Sequence, residues 1–470
     1  MRHRTSAVLA ALTLVMAGCT TVPSGVGSSV GADGQPDQGV ERSAGGGDQQ
    51  TTLPTSAAPA TTSPRNLQPT SPTPEQPTLI SGGGAASIPP TPPSLPEAPV
   101  RPRDPALDPQ LIAAAWADDI AAAGDLINRG ADVNAKDETV QSAYLIATSE
   151  GFLDLLELTL ANGADVASLD SFNGTGLIRA AERGHADIVG RLLGAGVAVN
   201  HVNRPGWTAL DEAIVYGDGG QGYLDTVRAL VAGGADLQRI SGDGRSPVQH
   251  AEDNGFGSIR QTLQTAIDRP SPEPAQATAD LLAAAAAGDA DGVAVALRAG
   301  APIEARDTRG RTPLLLASAG DHLAAARLLV VLGADPDAQD DQQDSAWLVT
   351  GVTGSVPMLE TLLPAHPDLT LRNRFGGVSV IPASERGHVD YVRRVVSTGI
   401  DVNHINDLGW TAMLEAVVYG DGSEPYQQII GILLAAGADP AITDATGRTA
   451  LDHARAMGFD GIAAQLVSGR

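Results

Sequence analysis

Residues 310–340 read GRTPLLLASAGDHLAAARLLVVLGADPDAQD, and this stretch decides the fold. Thr312 and Pro313 open a helix in the preferred order, because proline in the first turn lacks an N–H that would have no partner there. Leu314 to Ala317 supplies small and apolar side chains, Gly320 breaks the helix, and Leu323 to Leu332 forms a second one. Gly333 stands where the chain must turn left-handed after that helix, which glycine alone does without strain. Asp335 to Asp340 is then a polar, finger-like connection. Two helices this short cannot bury their apolar faces alone, so the pattern predicts stacking on neighbours.

The pattern recurs from 106 to 470. The residue opening each helical stretch falls at Pro109, Ser142, Thr175, Thr208, Ser246, Ala279, Thr312, Ser345, Val378, Thr411 and Thr449, 33 residues apart except for two steps of 38. A second marker keeps the same register: Gly130, Gly163, Gly196, Gly234, Gly300, Gly333, Gly399 and Gly437, with Ile267 and His366 as exceptions. A fixed period of this size signals a repeat architecture.

Gly310-Arg-Thr-Pro-Leu and Gly333-Ala-Asp, at a 33-residue period, resemble the ankyrin repeat, and the resemblance covers essentially all of 106–470. It implies an all-α ankyrin-repeat solenoid of helix-turn-helix units joined by fingers, a class that commonly recognises proteins through the fingers and the concave face. The His usual after Thr-Pro-Leu is replaced by Leu315, Ile178, Asp211, Gln249, Leu414 and Asp452, which removes a local hydrogen bond. The units opening at Ser246 and Ser345 are the weakest, with Arg269 to Pro274 and Pro364 to Pro367 in place of the glycine turn.

A longer period of 203 residues superposes Glu182-Arg-Gly-His185 on Glu385-Arg-Gly-His388 and Asn200-His-Val-Asn203 on Asn403-His-Ile-Asn406. It also superposes Gly206-Trp-Thr-Ala209 on Gly409-Trp-Thr-Ala412 and YGDGGQGY (216–223) on YGDGSEPY (419–426). The chain reads as a duplicated five-unit block with one extra unit between. The expected blocks are 106–270, with about five units, and 277–470, with about six; two lobes are favoured over one bulged stack.

The rest of the composition restricts function. Of 470 residues, 30 are basic and 55 acidic, a formal charge of −25, and Lys136 is the only lysine. Such a surface repels phosphate backbones, so nucleic-acid binding is not expected. The single cysteine, Cys19, excludes an intrachain disulfide and a cysteine zinc cage. Arg2, His3 and Arg4 precede an apolar run, Ala7 to Met16, too short to span a bilayer as a helix. With Ala17 and Gly18 before Cys19, residues 1–18 resemble a bacterial lipoprotein signal peptide, although Met16 replaces the commoner Leu. The resemblance implies cleavage before Cys19, acylation of its sulfur, and an outward-facing protein anchored to the cell membrane. The other reading is a secretory signal with an incidental cysteine.

Residues 19–105 hold 17 of the 32 prolines among Thr, Ser and Gly. Such a segment reads as a disordered tether, on the order of 50 Å across as a flexible coil. A glycosylated stalk and a Pro-rich recognition segment are the alternatives.

The candidate sites lie in the duplicated block. His201 and His404, beside Asn200, Asn203, Asn403 and Asn406, are candidate finger contacts; they also suit polar turns that cap backbone groups. Trp207 and Trp410 open inner helices, as binding anchors or as packing. The two five-residue insertions are expected to lengthen the interhelical turns, offering Tyr216, Asp218, Tyr223, Tyr419, Asp421 and Tyr426 for contact. One carboxylate per loop is too few for a calcium loop, and neither strand nor Lys accompanies the glycines as in a phosphate cradle. The two Glu-Arg-Gly-His segments could be read as acid–base groups, but Gly-His is the ordinary turn of such repeats. His250 and His453 are expected to be packed mid-helix. No nucleophile elbow or metal-ligand pair is legible, so no catalytic residue, metal or cofactor is assigned.

The expected function is non-covalent recognition of an unidentified protein with a basic patch. An envelope hydrolase or stress-protection factor using the paired His and Glu residues, and a structural spacer, are the alternatives.

Overall fold

Residues 101–269 and 273–468 are described by a computed structural model, and the expected leader and most of the tether lie outside them. They form twenty-two α-helices in eleven successive pairs, from Asp108–Trp116 and Ile120–Asn128 to Ala450–Met457 and Asp460–Ser468. Among the described residues, β pairing is limited to two isolated bridges, Leu169 with Thr175 and Thr443 with Thr449. This is the all-α solenoid that the periodicity predicts.

Where a unit opens on Ser or Thr, the hydroxyl fixes the helix start. Ser142, Thr175, Thr208, Ser246, Thr312, Ser345, Thr411 and Thr449 are all N-caps whose side chains accept the backbone N–H three residues on. A cap of this kind contributes about 1 kcal/mol. Where the hydroxyl is missing, the start slides: Pro109 lies inside Asp108–Trp116, Val378 precedes Val380–Glu385, and Ala279 falls within Pro274–Ala287. The first helix of the second block therefore begins upstream of 277. The residues replacing the usual His have a role at three units. Asp211, Gln249 and Asp452 close capping boxes with Thr208, Ser246 and Thr449.

Every glycine of the second marker series has positive φ, from 80° at Gly196 to 108° at Gly130, and His366 takes the same left-handed turn at 52°. Ile267 does not, because the helix Gly257–Asp268 runs on through it. The end of the segment read as tether is bonded to the first units. The Arg101 Nη1 donates to Asn162 Oδ1 at 2.6 Å and the Asp104 N–H to the Gly130 carbonyl at 2.9 Å. Composition could not show these two bonds.

First helices stack on first helices and second on second, burying Leu and Ala between them. The column does not run straight through the middle of the chain. Pro247–Asp253 packs back on Ala209–Val215, whereas Pro274–Ala287 packs forward on Pro313–Ala319. The second helices then meet in reversed order: Gly257–Asp268 and Gln221–Ala232 against Ala290–Arg298, and Gln221–Ala232 and Ala186–Gly194 against Leu323–Val331. The chain thus folds back, laying one column against the other within one compact unit.

The seam is polar at its edges. Arg228 Nε donates to Asp291 at 2.8 Å, as does the Thr262 hydroxyl, Arg327 Nε donates to Asp225 at 3.0 Å, and Arg298 reaches the Ala235 carbonyl at 2.7 Å.

Candidate functional site

The duplicated segments build the same cluster twice. In the first copy the inner helix Ala209–Val215 is bracketed by Trp207 and Tyr216, whose ring centroids meet at 5.4 Å with planes tilted by 60°. In the second, Trp410 and Tyr419 bracket Ala412–Val418 and meet at 5.3 Å and 56°. A helix this short lets residues at its two ends touch. Tyr216 also lies four residues beyond Glu212, hence on the same helical face.

Glu212 and Glu415 occupy the middle of these helices and are buried, at 5% and 4% exposure. Each accepts from a finger asparagine: Asn203 Nδ2 donates to Glu212 at 2.5 Å and Asn406 Nδ2 to Glu415 at 2.8 Å. The asparagine Oδ1 in turn accepts the N–H of Trp207 or Trp410, at 2.9 Å in both copies. Burial pushes Glu212 up to about 7 and Glu415 up to about 8. The charges of Glu182 and Glu385, on the preceding inner helices, add to that rise.

The remaining predicted contacts divide into anchors and outward groups. Asn200 Nδ2 donates to the Gly234 carbonyl at 3.3 Å while its Oδ1 accepts the Asp236 N–H at 2.8 Å. Asn403 makes the same bridge to Gly437 and Asp439, at 3.1 and 2.7 Å. His201 and His404 Nε2 each lie 2.7 Å from a carbonyl of the preceding finger, Asn173 and Gly376. These four hold finger to finger.

The insertions lengthen the interhelical turns, to residues 216–220 and 419–423 where the other pairs have two or three residues, and they also add to the helix that follows. Part of each extends the following helix, Gln221–Ala232 and Glu424–Ala435 being twelve residues long where most second helices have nine or fewer. Tyr223 and Tyr426 fall in those helices, and their hydroxyls donate to the Glu182 and Glu385 carbonyls at 3.3 and 3.1 Å. In these turns Asp218 accepts the Gly220 N–H at 2.7 Å and Asp421 the Ser423 N–H at 2.9 Å. Gly219 and Gly422 have positive φ and press on Phe256 and Phe459, so the turns are packed down. Tyr216, Asp218 and Asp421 are exposed, whereas Trp207, Trp410 and Tyr419 are half-buried and Trp410 packs against the core. Tyr216 is 59% exposed.

The histidines of the Glu-Arg-Gly-His segments lie against backbone carbonyls of the preceding unit. His185 Nε2 is 3.2 Å from the Ser149 carbonyl and His388 Nε2 3.1 Å from that of Val352. His322, which has no such segment, makes the same contact with Ala286 at 3.0 Å. His250 is buried against Ser241 at 3.0 Å, and His453 pairs with Asp444 at 2.7 Å. Among the described residues no group of His, Cys, Asp and Glu is arranged to hold a metal ion.

Sequence reasoning passed over the buried glutamates. Their signal was present: a charged residue in mid-helix of an apolar stretch, at the same place in both copies. It also passed over the open cleft of about 940 Å³ where the two columns part, lined by Glu157, Arg191, Val331 and Glu360 among others.

Family models described as "Ankyrin repeats (3 copies)", "Ankyrin repeat" and "Ankyrin repeats (many copies)" match residues 143–241, 309–341 and 383–424. The ankyrin repeat protein YahD of Escherichia coli (strain K12) is 40% identical over 191 residues, covering 40% of this chain and 95% of that protein. Human ankyrin repeat and SOCS box protein 6 is 34% identical over 127 residues, 26% of this chain and 30% of its own length. A crystal structure of an ankyrin repeat domain from Acinetobacter baumannii AYE shares 43% identity over 40% of this chain and 96% of its own, with a TM-score of 0.39.

Proposed function

Because the chain belongs to the ankyrin-repeat family, we propose that it works by non-covalent recognition of another protein, with the duplicated Trp–Tyr face as its contact surface. The observation that carries this reading is the repetition of the same partly exposed aromatic pair over the same anchored finger, 203 residues apart. Trp and Tyr held on a rigid support are among the residues that dominate protein interfaces. The net charge of −25 favours a partner with a basic patch, and binding that weakens with salt. No catalytic role is proposed for the His and Glu residues.

The test is crosslinking in intact cells from Tyr216 and Tyr419, followed by the affinity of the captured protein at rising ionic strength. One protein captured from both positions, and bound more weakly in salt, supports the reading. Capture from neither position overturns it.

The proposal also places the repeat stack outside the cell, held to the membrane through an acylated Cys19. The order of charge, apolar run, Ala17, Gly18 and Cys19 supports this, as does the absence of any other cysteine from the sequence. Two or more acyl chains hold where one is marginal. Labelled fatty acid should enter the wild-type protein and not Cys19→Ser; equal labelling, or none in either, would refute the anchor.

A further inference from the structure

The fold-back creates a space that no single unit contains. Beside the contact of Gly190 with Val331, an open cleft of about 940 Å³ is walled by helix Leu153–Ala161 on one side and Val356–Leu362 on the other. Its size is that of a pocket able to take a ligand. Leu153, Val330, Val331, Leu332 and Ala365 give it an apolar lining, and all five are only half-buried by the chain itself.

The charges around that lining are mostly of one sign. Six carboxylates border the cleft against two guanidiniums, Arg191 and Arg327. Both guanidiniums are already held, since Arg191 Nη2 donates to Glu157 at 3.1 Å and Arg327 Nε to Asp225 at 3.0 Å. Glu360 accepts from Arg394 Nη2 at 3.1 Å. Asp154, Asp187 and Asp335 remain; each is exposed, and none forms an ion pair among the described residues.

This combination selects its occupant. An anion finds both arginines committed, and a wholly apolar ligand would draw three carboxylates out of water without partners, which is costly. A ligand with apolar side chains for the lining and cations for the rim meets both demands. The chain's own residues 19–100 do not, with Arg42 and Arg65 against six acidic residues, and a second copy brings the same charge of −25.

We infer that the cleft binds a segment of another protein in which apolar residues stand between arginines or lysines. The inference goes beyond the recognition reading above, because it uses no residue of the Trp–Tyr face.

The test uses the full chain with Cys19→Ser, and the probe is fluorescently labelled acetyl-Arg-Arg-Leu-Leu-Arg-Arg-amide. One control peptide has serine for both leucines, the other citrulline for all four arginines. By fluorescence anisotropy the leucine peptide should bind, and each control should bind about tenfold or more weakly, the first for want of apolar burial and the second for want of charge. Asp187→Lys should weaken the leucine peptide about fivefold, as an exposed ion pair gives way to a like-charge contact. Asp390→Lys, the same change 203 residues on and outside the cleft, should leave binding unchanged. Both residues are exposed in the first turn of a second helix, so the two variants bear the same structural cost. Benzoylphenylalanine in place of Gly194, which borders the cleft with open space around it, should crosslink to the leucine peptide on illumination.

A leucine peptide that does not bind, a control that binds as tightly, or equal effects of Asp187→Lys and Asp390→Lys would overturn the inference. So would crosslinks from position 194 that join residues 19–100 or a second copy of the chain and exclude the peptide. If the peptide fails while Tyr216 and Tyr419 capture a protein, the cleft assignment falls and the Trp–Tyr face stands. If the peptide crosslinks at position 194 while neither tyrosine captures anything, the cleft stands and that face falls.

Discussion

Gly190 and Val331 meet so closely that a β-carbon on Gly190 would lie 1.9 Å from the Val331 carbonyl oxygen. This contact joins helix Ala186–Gly194 of the first column to Leu323–Val331 of the second. It explains a glycine in the interior of a helix, where glycine is about 1 kcal/mol less favourable than alanine.

Gly190→Ala separates two outcomes by sign. Helix propensity alone would stabilise the chain by about 1 kcal/mol, whereas overpacking of this kind costs about 1–3 kcal/mol. The expected result is a lower melting temperature with a larger radius of gyration in small-angle scattering, as the columns part. A more stable variant of unchanged radius would mean that the seam does not hold.

Asn403 bridges two fingers through both ends of its amide. Asn403→Ala should cost about 1–3 kcal/mol, because the Gly437 carbonyl and Asp439 N–H lose their partner. Amide exchange at Asp439 should accelerate while that of Leu433, deep in the following helix, does not. Unchanged exchange at Asp439 would contradict the bridge.

Glu212 and Glu415 give stability a pH dependence of known sign. Both are held above the ordinary 4.5, by burial first, at about 7 and about 8. The folded chain then binds these protons more tightly than the unfolded one. The stability they contribute is complete below 4.5 and lost as pH rises through 7 and 8. Glu212→Gln with Glu415→Gln keeps the acceptors for Asn203 and Asn406 and removes the titration. Chemical denaturation between pH 5 and pH 9 should show the wild type losing about 2 kcal/mol or more relative to the double variant. Parallel curves would show that the two carboxyls titrate normally.

The histidines of the turns are expected to stabilise only. His388→Ala removes the contact with the Val352 carbonyl and should cost about 1 kcal/mol, with partner capture from Tyr419 unchanged. Loss of capture in a folded His388→Ala variant would return the residue to the binding surface.

The repeat, the helix pairs and their turns were legible in the sequence because each rests on local chemistry. A hydroxyl at Thr312 fixes a helix start and a glycine at Gly333 a left-handed turn, whatever surrounds them. The fold-back was not legible, because it depends on residues that break the duplication. Gly190, Asp225 and Arg228 of the seam correspond to Arg393, Gln428 and Gly431 in the second copy, which are exposed. A difference between copies reads as drift until the partner surface is known.

The site was legible in part. Trp207, Tyr216 and their copies stood out as aromatics in a chain with few. Tyr223, Asn200 and His201 looked equally available, and only the distances to Glu182, Gly234 and Asn173 show them bound within the stack.

The most direct measurement is the affinity of the captured partner for the wild type, Trp207→Ala, Trp410→Ala and the double variant, with Trp116→Ala, an exposed residue away from the clusters, as the reference. Each cluster variant should bind about tenfold or more weakly, the double variant should not bind measurably, and Trp116→Ala should match the wild type. A double variant that is folded and binds as the wild type does would contradict the account.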